Sequence, residues 1–211
     1  MHASPDQPLN LSQLLTQLVE THPDEVLTPD DLAVGLRDRV WGGLLLVFAA
    51  INLLPLPPGT TTVTGIPLIV VTAQMAMGRA APWFPASVRR RTLAKSSLRT
   101  MLAKFLPWER RLEKLLRPRI WSLTNHRGMR VIGAVCLLLS VILWLPIPLG
   151  NHAPALSMTI FALALLYRDG LAVIAGAICT VASLILVSGM IAGAIAAAVY
   201  VVQNWLPKLL G

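Results

Sequence analysis

LPLPPGTTTVTGIP (Leu54–Pro67) and LPIPLGNHAP (Leu145–Pro154) are two versions of one phrase. Each follows an apolar run, interrupts it with prolines and a glycine, and opens a second apolar run. The phrases start 91 residues apart, at Leu54 and Leu145, and their reading decides the fold. Proline removes a backbone donor and glycine frees φ, so each phrase stops one helix and starts another. The pattern predicts two related halves, each built on a helical hairpin. Pro55, Pro57, Gly59 and Pro67 mark the first break, and Pro146, Pro148, Gly150 and Pro154 the second.

Composition names the solvent. The 211 residues are 55% hydrophobic and only 13% charged, where a soluble domain carries about 25% charge. An all-α integral membrane protein is therefore expected. The first 40 residues are polar and acidic and lack an early apolar core, so no cleaved signal peptide is expected. Residues 1–38 hold seven of the ten acids and one base, Arg37, while residues 79–130 hold 14 of the 18 Lys/Arg. Because this basic block lies between apolar segments, its partner is read as the lipid bilayer rather than nucleic acid. Arg89, Arg90, Arg91, Lys95 and Arg99 are the surface-binding bases, and the positive-inside rule puts residues 79–130 in the cytoplasm. Cys136 and Cys179 sit inside apolar runs without CxxC spacing and read as small core or lipid-facing residues.

Five regions follow: an amphipathic helical region (1–38), a first membrane hairpin (39–78), basic amphipathic helices (79–130), a second membrane hairpin (131–167), and C-terminal transmembrane helices (168–206). Leu11, Leu14, Leu15 and Leu18 follow i, i+3, i+4, i+7 and form one apolar helix face. Thr28, Pro29 and Asp31 form a complete helix start, with Leu27 and Leu32 as a staple. That helix is expected to continue from Pro29 into Trp41–Leu54. In the basic block, Ala94, Leu98, Met101, Leu102 and Phe105 share one helical face. This fits interfacial helices or soluble helices packed on the membrane domain. Trp41, Trp83, Trp108, Trp121 and Trp205 stand near segment ends, as in an aromatic belt.

The four runs flanking the breaks are Trp41–Leu54, Ile66–Met77, Val131–Leu145 and Ala155–Tyr167, each 12 to 15 residues long. A 14-residue helix covers about 21 Å of a hydrocarbon core about 30 Å thick. The hairpins are then either re-entrant, unwinding near mid-depth, or short tilted spans joined by ordinary loops. Irregular backbone in the membrane is tolerated where it lines a wet cavity, and paired proline-broken segments point to a transport site. Both readings return the chain to the side it left. The runs Leu171–Val187 and Met190–Leu206 approach full span length.

Taken together, LPLPPGTTTVTGIPLIVVTAQMAMGRAAPWFP, RPRIWSL, LPIPLGNHAPAL and YRDG resemble the ExoD family of bacterial exopolysaccharide-synthesis membrane proteins. The resemblance covers about residues 30–205, and Met1–Glu25 lies outside it. It implies a multi-pass inner-membrane protein tied to exopolysaccharide production and, in some members, to tolerance of alkaline conditions. Exopolysaccharide-synthesis proteins are the partners it implies. It implies no reaction.

Each candidate site residue has a structural alternative. Asn151 and His152 could coordinate an ion or a sugar at the second break, or cap a helix and face water. Thr60, Thr61, Thr62 and Thr64 could line a polar cavity, or satisfy unwound backbone. The stretch lacks the Gly-Lys-Ser/Thr ending of a phosphate loop. Asp169 is the only acid after Glu113 and could couple protons or cations beside Arg168, or simply cap a helix. Gln74 and Asn52, amides within apolar runs, could bind a ligand but are read first as bridges between hairpin arms. The four histidines lack metal spacing and no catalytic constellation is present, so no enzyme activity, metal or cofactor is expected. The leading function is a small transporter or channel with its polar site at the hairpin tips. The alternative is a non-catalytic scaffold or regulator of the exopolysaccharide machinery. Gly189 and Gly193 stand four apart in GMIAGAIAAA and predict a homodimer through that segment.

Overall fold

The computed structural model describes residues 11–21, 23–36, 39–53, 60–89, 93–96, 116, 120, 123–145 and 150–210. The helices are α1 (Leu11–Thr21), α2 (Pro29–Leu36), α3 (Val40–Ile51), α4 (Thr60–Ala76), the single turn α5 (Ala86–Arg89), α6 (His126–Trp144), α7 (His152–Tyr167) and α8 (Gly170–Leu210). Two-residue strands β1 (Val26–Leu27) and β2 (Leu93–Ala94) pair antiparallel, Val26 opposite Ala94 and Leu27 opposite Leu93. α3, α4, α6 and α7 close into a four-helix bundle: α4 packs on α6, α3 on α7, and α8 lies along α7. Trp41, Leu45, Leu68, Met75, Leu139 and Met158 are among its buried core residues.

Close approaches set the helix directions. A Cβ on Gly133 of α6 would lie 2.6 Å from the Ala76 nitrogen, and one on Gly65 of α4 3.4 Å from Trp144. α4 and α6 are therefore antiparallel. Gly42 of α3 meets Ala162 and Leu166 of α7 in the same way, and Gly176 of α8 meets Phe161. The described flanks of both breaks, Leu53 and Thr60 of the first and Leu145 and Gly150 of the second, consequently lie at one end of the bundle, the break end. Gly78, Arg79, Arg130, Arg168 and Asp169 lie at the other, the basic end.

Several elements differ from expectation. The helices outrun the apolar segments: α4 has 17 residues, α6 has 19 and α7 has 16. Thr60–Gly65 is helical rather than an unwound tip, so Thr61 and Thr62 stand in the first turn of α4. Pro67 lies inside α4, where it removes one i→i−4 bond without ending the helix. Pro154 occupies the first turn of α7, where the missing N–H has no intrahelical partner to lose. Asn125 caps α6 through an Oδ1 bond from the Gly128 N–H at 2.8 Å, which moves the helix start five residues ahead of Val131. Only α3, with 12 residues, remains as short as its apolar run.

The capping box at Thr28 is complete: the Thr28 N–H donates to Asp31 Oδ2 at 2.8 Å, and the Asp31 N–H to Thr28 Oγ1 at 3.2 Å. The helix it starts is described as far as Leu36, and α3 opens at Val40 behind Arg39; Arg37 and Asp38 between them lie outside the described residues. Ala94 belongs to β2 rather than to an interfacial helix, and Leu98–Phe105 lie outside the described residues. Trp41 is buried in the bundle instead of standing in an interfacial belt. The two C-terminal apolar runs are joined through Ser188-Gly189 in one 41-residue helix.

α6 and the Gly170–Tyr200 part of α8 are long and apolar enough to cross a membrane. Their outer faces fit lipid: Val131, Leu138 and Val141 on α6, and Ile174, Ile178 and Ile185 on α8, are all exposed.

Candidate functional site

The break end holds Asn52, Thr64 and Asn151. Asn52 follows the last turn of α3 and is 2% exposed. Its Nδ2 donates to the Phe48 carbonyl at 2.7 Å, and its Oδ1 accepts from Thr64 Oγ1 at 2.7 Å. That second bond joins the two arms of the first hairpin across its break. In the second hairpin Gly150 and Asn151 are buried while His152 is exposed. Asn151 occupies the N-cap position of α7 with φ −80° and ψ −21°, and its side chain makes no capping bond. Its carbonyl instead accepts from the Ala155 N–H at 3.2 Å. Pro55, Pro57, Gly59, Pro146 and Pro148 lie outside the described residues.

Halfway along the bundle, Thr72 of α4 meets Ser140 of α6 with 3.2 Å between hydroxyl oxygens, both fully buried. One hydroxyl donates to the other, which keeps its own proton for a carbonyl of its helix: the Leu68 carbonyl lies 2.8 Å from the Thr72 hydroxyl and the Leu137 carbonyl 2.8 Å from that of Ser140. Sequence reasoning missed this pair, although a lone hydroxyl in each of two apolar runs was its signal. Gln74 does not bridge the hairpin arms. Its amide accepts from the Trp83 N–H at 2.6 Å and donates to the Trp83 carbonyl at 3.2 Å, which ties down the segment after α4.

The basic end gathers different chemistry. Asp169, 3% exposed, accepts from the Leu171 N–H at 2.9 Å and so caps α8. Arg168 ends α7 in the left-handed region, φ 53° and ψ 39°. These two residues stand the length of α7, about 25 Å, from Asn151. The two candidates Asn151 and Asp169 therefore lie at opposite ends of the bundle. Of the surface bases, Arg89 is exposed and its Nε pairs with Asp30 at 2.8 Å, an interaction worth about 0–1 kcal/mol at such exposure. Lys95 is 7% exposed, so it is not a bilayer-facing base, and its N–H donates to the Glu25 carbonyl at 3.0 Å. Arg90, Arg91 and Arg99 lie outside the described residues.

No Asp, Glu, Lys or Arg occurs from Trp41 to Gly78 or from Val131 to Tyr167. The hairpins can therefore offer amides, hydroxyls, carbonyls and one imidazole, but neither a carboxylate nor a fixed charge. Among the described residues no group of three His, Cys, Asp or Glu side chains is placed to hold a metal ion.

The family described as "Exopolysaccharide synthesis, ExoD" matches residues 11–189. An uncharacterized protein of Synechocystis is 31% identical over 147 residues, 69% of each chain. Protein ExoD of Rhizobium meliloti is 29% identical over 179 residues, 81% of this chain and 73% of that one. No solved structure matches the chain.

Proposed function

The chain belongs to the ExoD family of exopolysaccharide synthesis, and from that premise we propose that it is a small inner-membrane transporter or channel. Its polar site is the break end. The observation that supports this is the convergence of both proline-broken turns on one uncharged end, where Asn52, Thr64 and Asn151 bring hydrogen-bonding groups into an apolar bundle. Polar groups in lipid are costly unless they are paired or line a wet cavity. The basic end faces the cytoplasm by the positive-inside rule, and the chain is multi-pass. α3 covers about 18 Å and fits a re-entrant arm, whereas α6 covers about 29 Å, nearly a full crossing. Because the hairpins carry no fixed charge, the site suits a cation coordinated by neutral oxygens or a small hydroxylated solute.

Flux of protons and sodium into liposomes carrying the purified protein tests this reading. Flux lost in Asn52→Leu and Asn151→Leu, but kept in Asp169→Asn, is expected. Absence of flux for both ions in the wild type, and for a small polyol assayed beside them, overturns it.

One set of contacts favours a second, non-catalytic reading. The β1–β2 ladder and the Asp30–Arg89 pair fasten the N-terminal helices to the basic segment at the cytoplasmic end. That assembly would be a docking platform for exopolysaccharide-synthesis proteins. Charge reversal across Arg89–Arg91 would then abolish association while Asn151→Leu stays silent. In either reading the protein works as a homodimer through Gly189–Ala198, and native-membrane cross-linking that traps only monomer removes that element.

A further inference from the structure

α8 is too long for a membrane that its composition demands. Its 41 residues extend about 61 Å. The uncharged stretch Leu171–Leu206 alone covers about 54 Å, against a hydrocarbon core of about 30 Å. Tilt does not absorb the difference. At about 40°, the upper end of the usual range, a helix crosses with about 39 Å of its length. Roughly ten apolar residues would then stand in water beyond the far surface.

Burial divides the helix within its uncharged stretch, after Val187. Ala172, Gly176, Thr180, Ser183 and Val187 are buried along the face turned to α7. α8 climbs antiparallel to α7, from the basic end to the break end, and by Val187 it has risen about 26 Å. From Ser188 to Tyr200 no residue is buried, and nothing lies within 4 Å of a Cβ placed on Gly189 or Gly193. Packing therefore stops where the chain would reach the far membrane face. Ser188 Oγ donates to the Ile185 carbonyl at 2.9 Å, a back-bond of the kind that bends helices. Gly189 follows, with the lowest helix propensity short of proline.

We infer that in the membrane α8 is two spans, Gly170–Val187 and Met190–Leu206, turning at Ser188-Gly189 so that the second returns to the basic end. Each half covers about 26 Å, close to the minimum for a crossing. Lys208, the only charge after Asp169, then arrives at the end where the other bases lie, as the positive-inside rule requires. The row Gly189, Gly193, Ala197, each four residues apart, then packs within the chain in place of the homodimer contact and lets the returning span approach closely. Leu171, Ile174, Ile178 and Ile185, exposed on the first half, are the face it covers. The inference rests on the membrane reading above.

Labelling with a membrane-impermeant maleimide, in intact and in permeabilised cells, tests it. The full chain carries Cys136→Ala and Cys179→Ala and one new cysteine at a time: Ala80→Cys at the basic end, Gly189→Cys or Ser188→Cys at the turn, and Gly211→Cys at the C-terminus. Two spans require Ala80 and Gly211 to label on the same side and the turn on the other. Gly211 on the side opposite Ala80 means a single crossing and overturns the inference. All positions on one side overturn the membrane reading itself, and the inference with it. Should Gly189→Cys not accumulate, Ser188→Cys gives the same readout.

Discussion

Gly133 of α6 is a contact on which the arrangement of the two hairpins depends. A Cβ there would lie 2.6 Å from the Ala76 nitrogen and 2.7 Å from both the carbonyl carbon and the Cβ of Met75. Carbon contacts are optimal at about 3.5–4.0 Å, so Gly133→Ala forces α4 and α6 about 1 Å apart. The obstruction is mainly backbone, and no change of rotamer relieves it. Overpacking of this kind costs about 1–3 kcal/mol, while alanine recovers about 1 kcal/mol of helix propensity. The expected balance is a loss of about 1 kcal/mol. Gly43 of α3 is the internal control, because a Cβ there meets nothing within 4 Å. Gly43→Ala should gain up to about 1 kcal/mol from propensity alone. The two variants therefore differ by about 2 kcal/mol, or about 4–8 °C in Tm for a chain of this size. Tryptophan fluorescence of protein in lipid nanodiscs, followed on heating, reads the difference. If Gly133→Ala melts at or above Gly43→Ala, the close antiparallel crossing of α4 and α6 is refuted, and the common end for the two breaks loses its main support.

Three further outcomes follow from single bonds. Asp169→Ala should cost about 1 kcal/mol through the lost cap of α8, whereas Asp169→Asn, still an acceptor, should melt within a degree or two of wild type. Equal losses would mean that the carboxylate charge, not the cap, is what matters. Thr72→Val and Ser140→Ala should show a coupling of about 0.5–1.5 kcal/mol in a double-mutant cycle, with the double variant milder than the summed singles. Strict additivity would show that the two hydroxyls do not interact. Thr28→Ala should cost about 1 kcal/mol and expose the linker before α2 to limited proteolysis, because two of the three capping-box bonds use its hydroxyl.

Much of this fold was legible because its signals are local. Prolines and glycines at the two breaks and the Thr28–Asp31 box act within a few residues, and the helices obey them. Thr60–Gly65 was misjudged because β-branched threonines beside Gly59 read as loop, yet packing of Gly65 on Trp144 holds that stretch helical. Tertiary packing outweighs a propensity cost of a few tenths of a kcal/mol per residue. The Thr72–Ser140 pair joins residues 68 apart, and no local pattern specifies such a partner. The separation of Asp169 from Asn151 is legible as well: a hairpin that returns to the side it left puts Arg168-Asp169 on the face of the basic block, and the 16 residues of α7 set about 25 Å between the two. Whether α8 runs straight or turns is not legible from local sequence, since Ser188-Gly189 is compatible with either a helix interior or a turn.

Both the fold and the function assigned here stand on the two breaks sharing one end. Pulsed electron-spin distance measurements in nanodiscs test this most directly, with label pairs at Leu53 and His152 and at Leu53 and Arg168 in the background lacking Cys136 and Cys179. A short distance is expected for the first pair and one longer by roughly 20 Å or more for the second, the length of α7 less the freedom of the labels. Equal distances, or a shorter one to Arg168, would contradict it.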